Sequence, residues 1–191
     1  MFTLLPIFHE GALVAFAGAM GHQVDVGGRA PGSFGGDATE IYQEGLRLAP
    51  VKLYEGGRAN RAVFDIIRTN IREPDKTLGD LASQVAALHI GERGLRRLIA
   101  RYGMPVIVGA VEELIAYSEA RMRKRIAEIP PGTYAWEDVM DDDGIGDRPV
   151  RVRATVTVSG SDLTVDFTGT DPQVRGPINC MLGLTLGTAY Y

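Results

Sequence analysis

His22 and Asp25 place an imidazole and a carboxylate three positions apart in the stretch GHQVDVGGRAPGS, residues 21–33. Both groups are common ligands of divalent metal ions, and a turn after an apolar strand can direct them into one cavity. Gly27 and Gly28 allow a close approach of the backbone or a positive φ, and the following Pro-Gly pair fixes the exit of the loop. The spacing is compatible with a divalent metal site. It is also compatible with a structural turn, in which Asp25 caps the turn and His22 hydrogen-bonds a backbone carbonyl.

The next segment, DATEIYQEGLR at residues 37–47, adds two further carboxylates, Glu40 and Glu44. Either could act as a third ligand, as a general base or as a hydrogen-bond partner of His22. Glu40 is preferred for such a role, because Glu44 could equally satisfy backbone donors. The chemistry that these residues predict is the activation of water beside a cation.

Other catalytic motifs are missing from the sequence. It has no G-x-x-x-x-G-K-[ST] phosphate loop, no dinucleotide fingerprint and no G-x-S-x-G nucleophile elbow. The acidic run DDDGIGD at residues 141–147 lacks the alternating acids and the closing glutamate of a calcium loop. We therefore interpret that run as an exposed acidic turn.

The amino-acid composition argues against nucleic acid as a partner and is compatible with a reducing compartment. The 191 residues carry a net charge of −4 with a pI near 5.4, so the chain has no basic field for nucleic acid. A single cysteine, Cys180, excludes an internal disulfide and fits a reducing cytoplasm. The apolar first 20 residues lack a basic leader, and His9 and Glu10 interrupt them before the roughly 18 apolar residues that a membrane span needs.

The period of the hydrophobic residues divides the chain into segments and predicts an α+β fold. Residues 1–57 read as strands with the candidate metal loop, 58–129 as helices, 132–168 as a β-hairpin region and 176–191 as the start of another element. The chain begins and stops inside apolar runs, so we expect it to be part of a larger subunit.

Individual elements can be placed within these segments. Two strands should meet around residues 9–11, and a helix through Val63 should end at Pro74. Residues 77–80 have the form of a capping box for the next helix, with Asp80 as its acid, and Gly91 and Gly94 should weaken that helix. Gly103 should stop it. Residues 150–158 and 163–167 should pair as a hairpin. A long helix from Pro105 should bury a stripe formed by Ile107, Val111, Leu114, Ile115, Met122, Ile126 and Ile129.

Four ordered blocks carry a resemblance to a known family. They are GHQVDVGGRAPGS, TEIYQEGLRLAPVKLYEGG, NIREPDKTLGDLASQVAAL and DFTGTDPQVRGPINC. Together they closely resemble the hydantoinase B/oxoprolinase family, which includes N-methylhydantoinase B subunits, the matching half of 5-oxoprolinase, and acetone or acetophenone carboxylase subunits. The resemblance spans nearly all of the chain, and the family's chains are considerably longer.

This resemblance implies an ATP-coupled reaction on a cyclic amide or a ketone. A separate A-type subunit would use ATP to phosphorylate the carbonyl oxygen of the substrate. The B-type chain would complete the reaction at a divalent metal ion such as Zn, Mn or Fe, which lowers the pKa of bound water. The resemblance thus implies a hetero-oligomer with an A-type partner. The composition adds the expectation of a cytoplasmic protein with neither nucleic acid nor a membrane as a partner. The implied activity is hydrolysis of a hydantoin-like or oxoproline-like ring, with ketone carboxylation and a non-catalytic scaffold as alternatives.

By resemblance, His22 and Asp25 would hold the metal, with Glu40 or Glu44 orienting water or substrate. Gly27 and Gly28 would shape the loop. Because a catalytic metal needs about three protein ligands and further ligands are expected upstream, we expect the chain alone to have weak or no activity. Gln23 stands where many relatives have a second histidine, which also puts activity in question.

Two further residues in the shared blocks have open alternatives. Arg72 could bind a phosphate or carboxylate of the substrate through its bidentate fork, or it could satisfy carbonyl groups near a helix end. Asn179 could line the site or form a turn.

Overall fold

The computed structural model describes residues 1–191, and it confirms the α+β class. Residues 1–35 and 40–107 form one compact unit, and residues 36–39 and 108–191 form a second. The strands are β1 (Phe2–His9), β2 (Ala12–Met20), β3 (Tyr54–Glu55), β4 (Arg58–Ala59), β5 (Gly132–Met140), β6 (Val150–Ser159) and β7 (Asp162–Asp166). The helices are α1 (Arg61–Asn70), α2 (Pro74–Tyr102), α3 (Met104–Ile126) and α4 (Leu182–Tyr190).

The predicted N-terminal hairpin is confirmed, with β1 and β2 antiparallel around a turn at Glu10 and Gly11. Its register shifts between Ile7 and Phe8, directly after Pro6. A proline removes one ladder donor, so a bulge next to it is expected. Ile7 is buried, as is Thr3 on the same side of the strand. The hairpin therefore has one face against the rest of this unit.

Helices α1 and α2 supply the apolar core of the first unit. Val63 and Ile67 of α1 pack with Leu81 of α2 and with Ile71, which directly follows α1. The remaining positions of α1 are mostly exposed, as expected for a helix with one apolar face. Helix α2 also packs on β1 and β2. The loop of residues 21–33 is consequently joined directly to a buried part of the structure.

The prediction for the start and continuity of α2 was wrong. The helix begins at Pro74 and continues without a break to Tyr102, so Thr77 lies inside it and Asp80 is not its cap. Proline is tolerated in the first helical turn because the N–H it lacks has no intrahelical partner there. Gly91 stays helical where it meets β2, and a Cβ added to it would lie 3.5 Å from the Ala17 Cβ. The predicted stop at Gly103 is confirmed, with a φ of 79°.

The second unit is built on the antiparallel sheet β5-β6-β7. The predicted hairpin is confirmed as β6 and β7, in which Val158 pairs with Leu163. Val150 and Val158 are the buried apolar residues of β6. Arg123 of α3 donates to Asp162 at 2.6 Å and so ties the helix to the start of β7.

The predicted buried stripe of α3 was wrong, because α3 has no buried residue. Leu114 and Ile115 are 63% and 64% exposed. Hydrophobic spacing identifies the apolar face of a helix, but it does not say which element covers that face. No helix in residues 1–191 combines the length and apolar character that crossing a bilayer requires.

Candidate functional site

The Asp25 carboxylate is the buried centre of the loop formed by residues 21–33. Oδ1 accepts hydrogen bonds from the backbone N–H of Gly27 at 2.7 Å and of Arg72 at 3.3 Å. Oδ2 accepts from the backbone N–H of Gly32 at 2.9 Å and from Arg72 Nη1 at 3.0 Å. Two donors on each oxygen occupy the roughly four lone-pair sites of an ionised carboxylate. The carboxylate therefore joins both ends of the glycine turn to residue 72.

The partly exposed Arg72 guanidinium hydrogen-bonds several carbonyl groups of the same turn. Besides Asp25, its Nη1 donates to the carbonyl oxygens of Gly27 at 3.2 Å and Ala30 at 3.0 Å. Its Nη2 donates to the carbonyl oxygen of Gly28 at 2.5 Å. The guanidinium thus contacts the Asp25 carboxylate and three loop carbonyls, and substrate binding by Arg72 stays a prediction. Arg72 and Asp25 form an ion pair whose acid is buried and whose base is partly exposed.

Two hydroxyl groups that the sequence analysis did not select complete this bonding. Ser33 Oγ accepts from the Val26 N–H and donates to the Gly27 carbonyl, both at 2.7 Å. Thr77 Oγ1 on α2 donates to the backbone carbonyl of Asp25 at 3.2 Å. Thr77 is 52 positions from Asp25 along the chain, so no local pattern could identify the pair. The second hydroxyl links the loop to the buried face of a helix.

Gly27 and Gly28 are needed for close backbone contacts. Their φ angles are 88° and 83°, in the left-handed region that glycine adopts without steric cost. A Cβ on Gly27 would lie 2.5 Å from the Asn70 carbonyl oxygen, and one on Gly28 would lie 2.6 Å from the Gln43 carbonyl oxygen. The turn is therefore packed between the end of α1 and the segment around residue 43.

The environment of Asp25 keeps its carboxyl ionised. Burial by itself would raise the pKa of Asp25. The hydrogen bonds, led by those from the Gly27 N–H and the Arg72 guanidinium, outweigh burial and lower this pKa from 3.8 to about 2. Asp25 is therefore a fixed negative charge at neutral pH.

We expect acid to destabilise the native chain more steeply than an Asp25→Asn variant. Since the folded pKa of about 2 lies below the ordinary 3.8, the stabilisation is fully present above about pH 4 and is lost as the pH falls through about 2. The shift corresponds to about 2 kcal/mol of unfolding free energy. Urea unfolding of both proteins from about pH 7 to about pH 2 measures the difference. Parallel pH dependences of the two proteins would contradict the assignment.

The other predicted site residues of the first unit lie at its surface. His22 is exposed at the start of the loop, and Glu40 and Glu44 are exposed on either side of a short 3₁₀ segment, Ile41–Gln43. The backbone of Glu44 meets Gly28, where a Cβ would lie 2.7 Å from the Glu44 carbonyl carbon. The structure thus brings Gly28 and Glu44 together through their backbones, while the Asp25 carboxylate binds the N–H of the preceding Gly27.

The residues of this chain do not fit a complete metal site. No group of three or more His, Cys, Asp or Glu side chains in residues 1–191 is arranged to hold an ion. The two oxygens of Asp25 already accept four hydrogen bonds, and His22 is exposed. The metal stays a prediction.

Asn179 belongs to the second unit, where it forms a turn. Its Nδ2 donates to the carbonyl oxygens of Val174 at 2.8 Å and Gly176 at 2.9 Å, while its Oδ1 accepts from the Val174 N–H. The Asp143 carboxylate closes the neighbouring turns by accepting from Ile145, Gly146 and Gly176. These contacts follow the structural alternative of the sequence analysis for both segments.

Comparison with known proteins shows which family of sequences this chain resembles. The family model for hydantoinase B/oxoprolinase matches residues 1–191. A protein of Pseudomonas sp. strain NS671, provisionally assigned as the B-type subunit of a D-/L-hydantoinase, is 41% identical over 98% of this chain and 33% of its own length. A more distant relative, the acetophenone carboxylase delta subunit of Aromatoleum aromaticum, is 26% identical over 92% of this chain and 26% of its own.

A relative of known structure shares both sequence and fold with this chain. The beta subunit of the caprolactamase of Pseudomonas jessenii is 34% identical over 97% of this chain and 32% of its own length. The crystal structure of the ATP-dependent caprolactamase from that organism superposes with a TM-score of 0.88 over 99% of this chain and 32% of the other. The chain spans about a third of the length of these two Pseudomonas relatives.

Proposed function

Because the chain belongs to the hydantoinase B/oxoprolinase family, we propose that it forms part of a B-type subunit of an ATP-dependent cyclic amide hydrolase. The observation that carries the proposal is the superposition on an ATP-dependent caprolactamase over 99% of this chain. Over the aligned residues, the relatives named as a hydantoinase subunit and a caprolactamase subunit are 41% and 34% identical to this chain, against 26% for the carboxylase subunit. Hydrolysis is therefore favoured over carboxylation.

The proposed reaction overcomes the low reactivity of a ring amide in two steps. Resonance between nitrogen and carbonyl makes the amide carbon a poor electrophile. A separate A-type subunit would transfer the γ-phosphoryl group of ATP to the carbonyl oxygen and release ADP. Water would then attack the activated carbon, and the ring C–N bond would break with a proton going to nitrogen, which leaves an acyl phosphate. A second water molecule would hydrolyse this acyl phosphate to the ring-opened acid and phosphate. We propose a cytoplasmic hetero-oligomer of the two subunit types.

In this proposal the loop of residues 21–33 is a rigid support for chemistry at its surface. Asp25 and Arg72 hold the turn through their side chains, and His22 is exposed where the loop begins. A positioned imidazole can move a proton during attack by water. Glu40 and Glu44, exposed on the adjoining segment, are the candidate carboxylates for orienting that water.

The test is reconstitution of the complete B-type subunit that contains this chain with an ATP-using A-type partner, followed by measurement of ring opening. Hydantoin, 5-oxoproline and caprolactam are offered as substrates, and ADP and the ring-opened acid are quantified. We expect His22→Ala to lower kcat by about 10²-fold or more, the usual size of an acid–base contribution. His89→Ala removes an exposed imidazole on α2 and should leave kcat unchanged.

Two outcomes would contradict the proposal. The first is product formation only from acetophenone or acetone with bicarbonate, which would indicate a carboxylase. The second is full activity of the His22→Ala variant. Metal content of the intact complex and of this variant, measured in parallel, tests the metal prediction separately. Unchanged stoichiometric metal in the variant would remove His22 from the set of ligands.

A further inference from the structure

A cavity of about 340 Å³ opens beside the glycine turn in the first unit. Its volume is within the range of pockets that bind small molecules. The lining residues are Gly28, Tyr42, Gly45, Leu46, Arg47 and Asn70. Gly28 belongs to the turn that Arg72 fastens, so one wall of the cavity is part of the rigid loop. None of these six residues is acidic.

Arg47 is the single charged residue that lines this cavity. Its guanidinium carbon lies 5.0 Å from the centroid of the Tyr42 ring, in a cation–π contact. Arg47 forms no ion pair with a carboxylate of the chain, in contrast to Arg72, which is paired with Asp25. A guanidinium that contacts an aromatic ring through its face keeps its N–H edge available for a planar oxyanion.

The close packing around the cavity keeps its shape. The Leu46 N–H donates to the Val26 carbonyl at 2.7 Å, and the Arg29 N–H donates to the Gln43 carbonyl at 3.0 Å. A Cβ on Gly45 would lie 2.5 Å from the Val26 carbonyl oxygen, so the two segments are in direct backbone contact. The wall that carries Arg47 is therefore held against the same turn as Asp25. The backbone from which Arg47 extends is already ordered, so anion binding does not have to order that backbone.

We infer that this cavity binds the oxyanion group of a small molecule, a carboxylate or a phosphoryl group, with Arg47 as its bidentate partner. The inference rests on the proposed function in one respect, namely that the bound group belongs to the substrate or to its phosphorylated form. Binding to the cavity itself requires neither ATP nor a second protein chain. The inference and the proposed reaction can therefore fail separately.

The test is calorimetric titration of the full chain with three probes at about 0.15 M salt, where long-range attraction is screened. Orthophosphate and 5-oxoproline supply the phosphoryl-like and carboxylate oxyanions, and caprolactam is a neutral cyclic amide. We expect at least one anion to bind and its Kd to rise tenfold or more in Arg47→Gln. Arg47→Lys keeps the charge but not the fork, so its Kd should lie between those two. Tyr42→Leu should weaken binding by about two- to fivefold.

Arg97→Gln is the matched control, because it removes an exposed arginine of α2 that does not line the cavity. Its Kd for each anion should equal that of the native chain. Circular dichroism of each variant verifies that the fold is retained. Binding of neither anion by the native chain, or an unchanged Kd in Arg47→Gln, would overturn the inference. Loss of ring opening with anion binding intact would instead count against the proposed reaction alone.

Discussion

Replacing Arg72 with alanine is expected to lower the free energy of unfolding by about 3 kcal/mol. The substitution removes the guanidinium from the buried Asp25 carboxylate and from three carbonyl oxygens of the turn. A buried charge that loses its partner keeps its desolvation cost without the compensating attraction. Urea unfolding measures the loss, and hydrogen exchange at the Gly27 and Gly32 amides reports whether the turn itself opens.

Arg68→Ala provides the matched control for that result. Arg68 also pairs with an aspartate, Asp75, but the two side chains are 55% and 91% exposed. Exposed pairs contribute about 0–1 kcal/mol, because water competes for both charges. An Arg72→Ala chain as stable as Arg68→Ala would mean that the ion pair does not hold the turn.

The second large effect is expected for Gly28→Ala, which should cost about 3 kcal/mol through strain and crowding together. An alanine at a φ of 83° carries strain of about 1 kcal/mol or more. Its Cβ would also lie 2.6 Å from the Gln43 carbonyl oxygen, so the backbone on one side must move. Displacement of well-packed backbone typically adds about 1–3 kcal/mol. The unfolding free energy and the anion affinity of the adjacent cavity should both fall.

Gly57→Ala separates strain from crowding. Gly57 has a similar φ of 76°, yet a Cβ there would meet no atom within 4 Å. Only the strain remains, and the expected cost is about 1 kcal/mol. If both glycine variants lost the same stability, the close approach at Gly28 would have no energetic role.

These predictions share one physical basis. The turn of residues 21–33 is short and glycine-rich, and such a segment by itself would populate many conformations. A buried carboxylate, an arginine from the segment between α1 and α2, and a threonine from α2 select one of them. His22, whose imidazole is exposed, lies at the N-terminal end of this fixed turn. We therefore expect substitutions in the turn to affect stability and binding together.

Local patterns in the sequence determined the α+β class, both hairpins and the stop at Gly103. Each of these depends on residues close together along the chain, such as alternating apolar positions or a glycine with positive φ. The ordered blocks also determined the family, which the match over residues 1–191 bears out. The glycine turn and its neighbouring acids were selected as a unit from their order alone.

Only the tertiary structure decided what the selected residues contact. Asp25 meets Arg72 at a separation of 47 positions and Thr77 at 52, and neither partner carries a local signal of that contact. Helix α2 continues through Gly91, which lies against Ala17 of β2, and α3 has no buried residue. Sequence spacing indicates neither of these. Short-range propensities act between neighbours in the sequence, whereas burial, ion pairing and close backbone approach depend on distances in space, which folding alone sets.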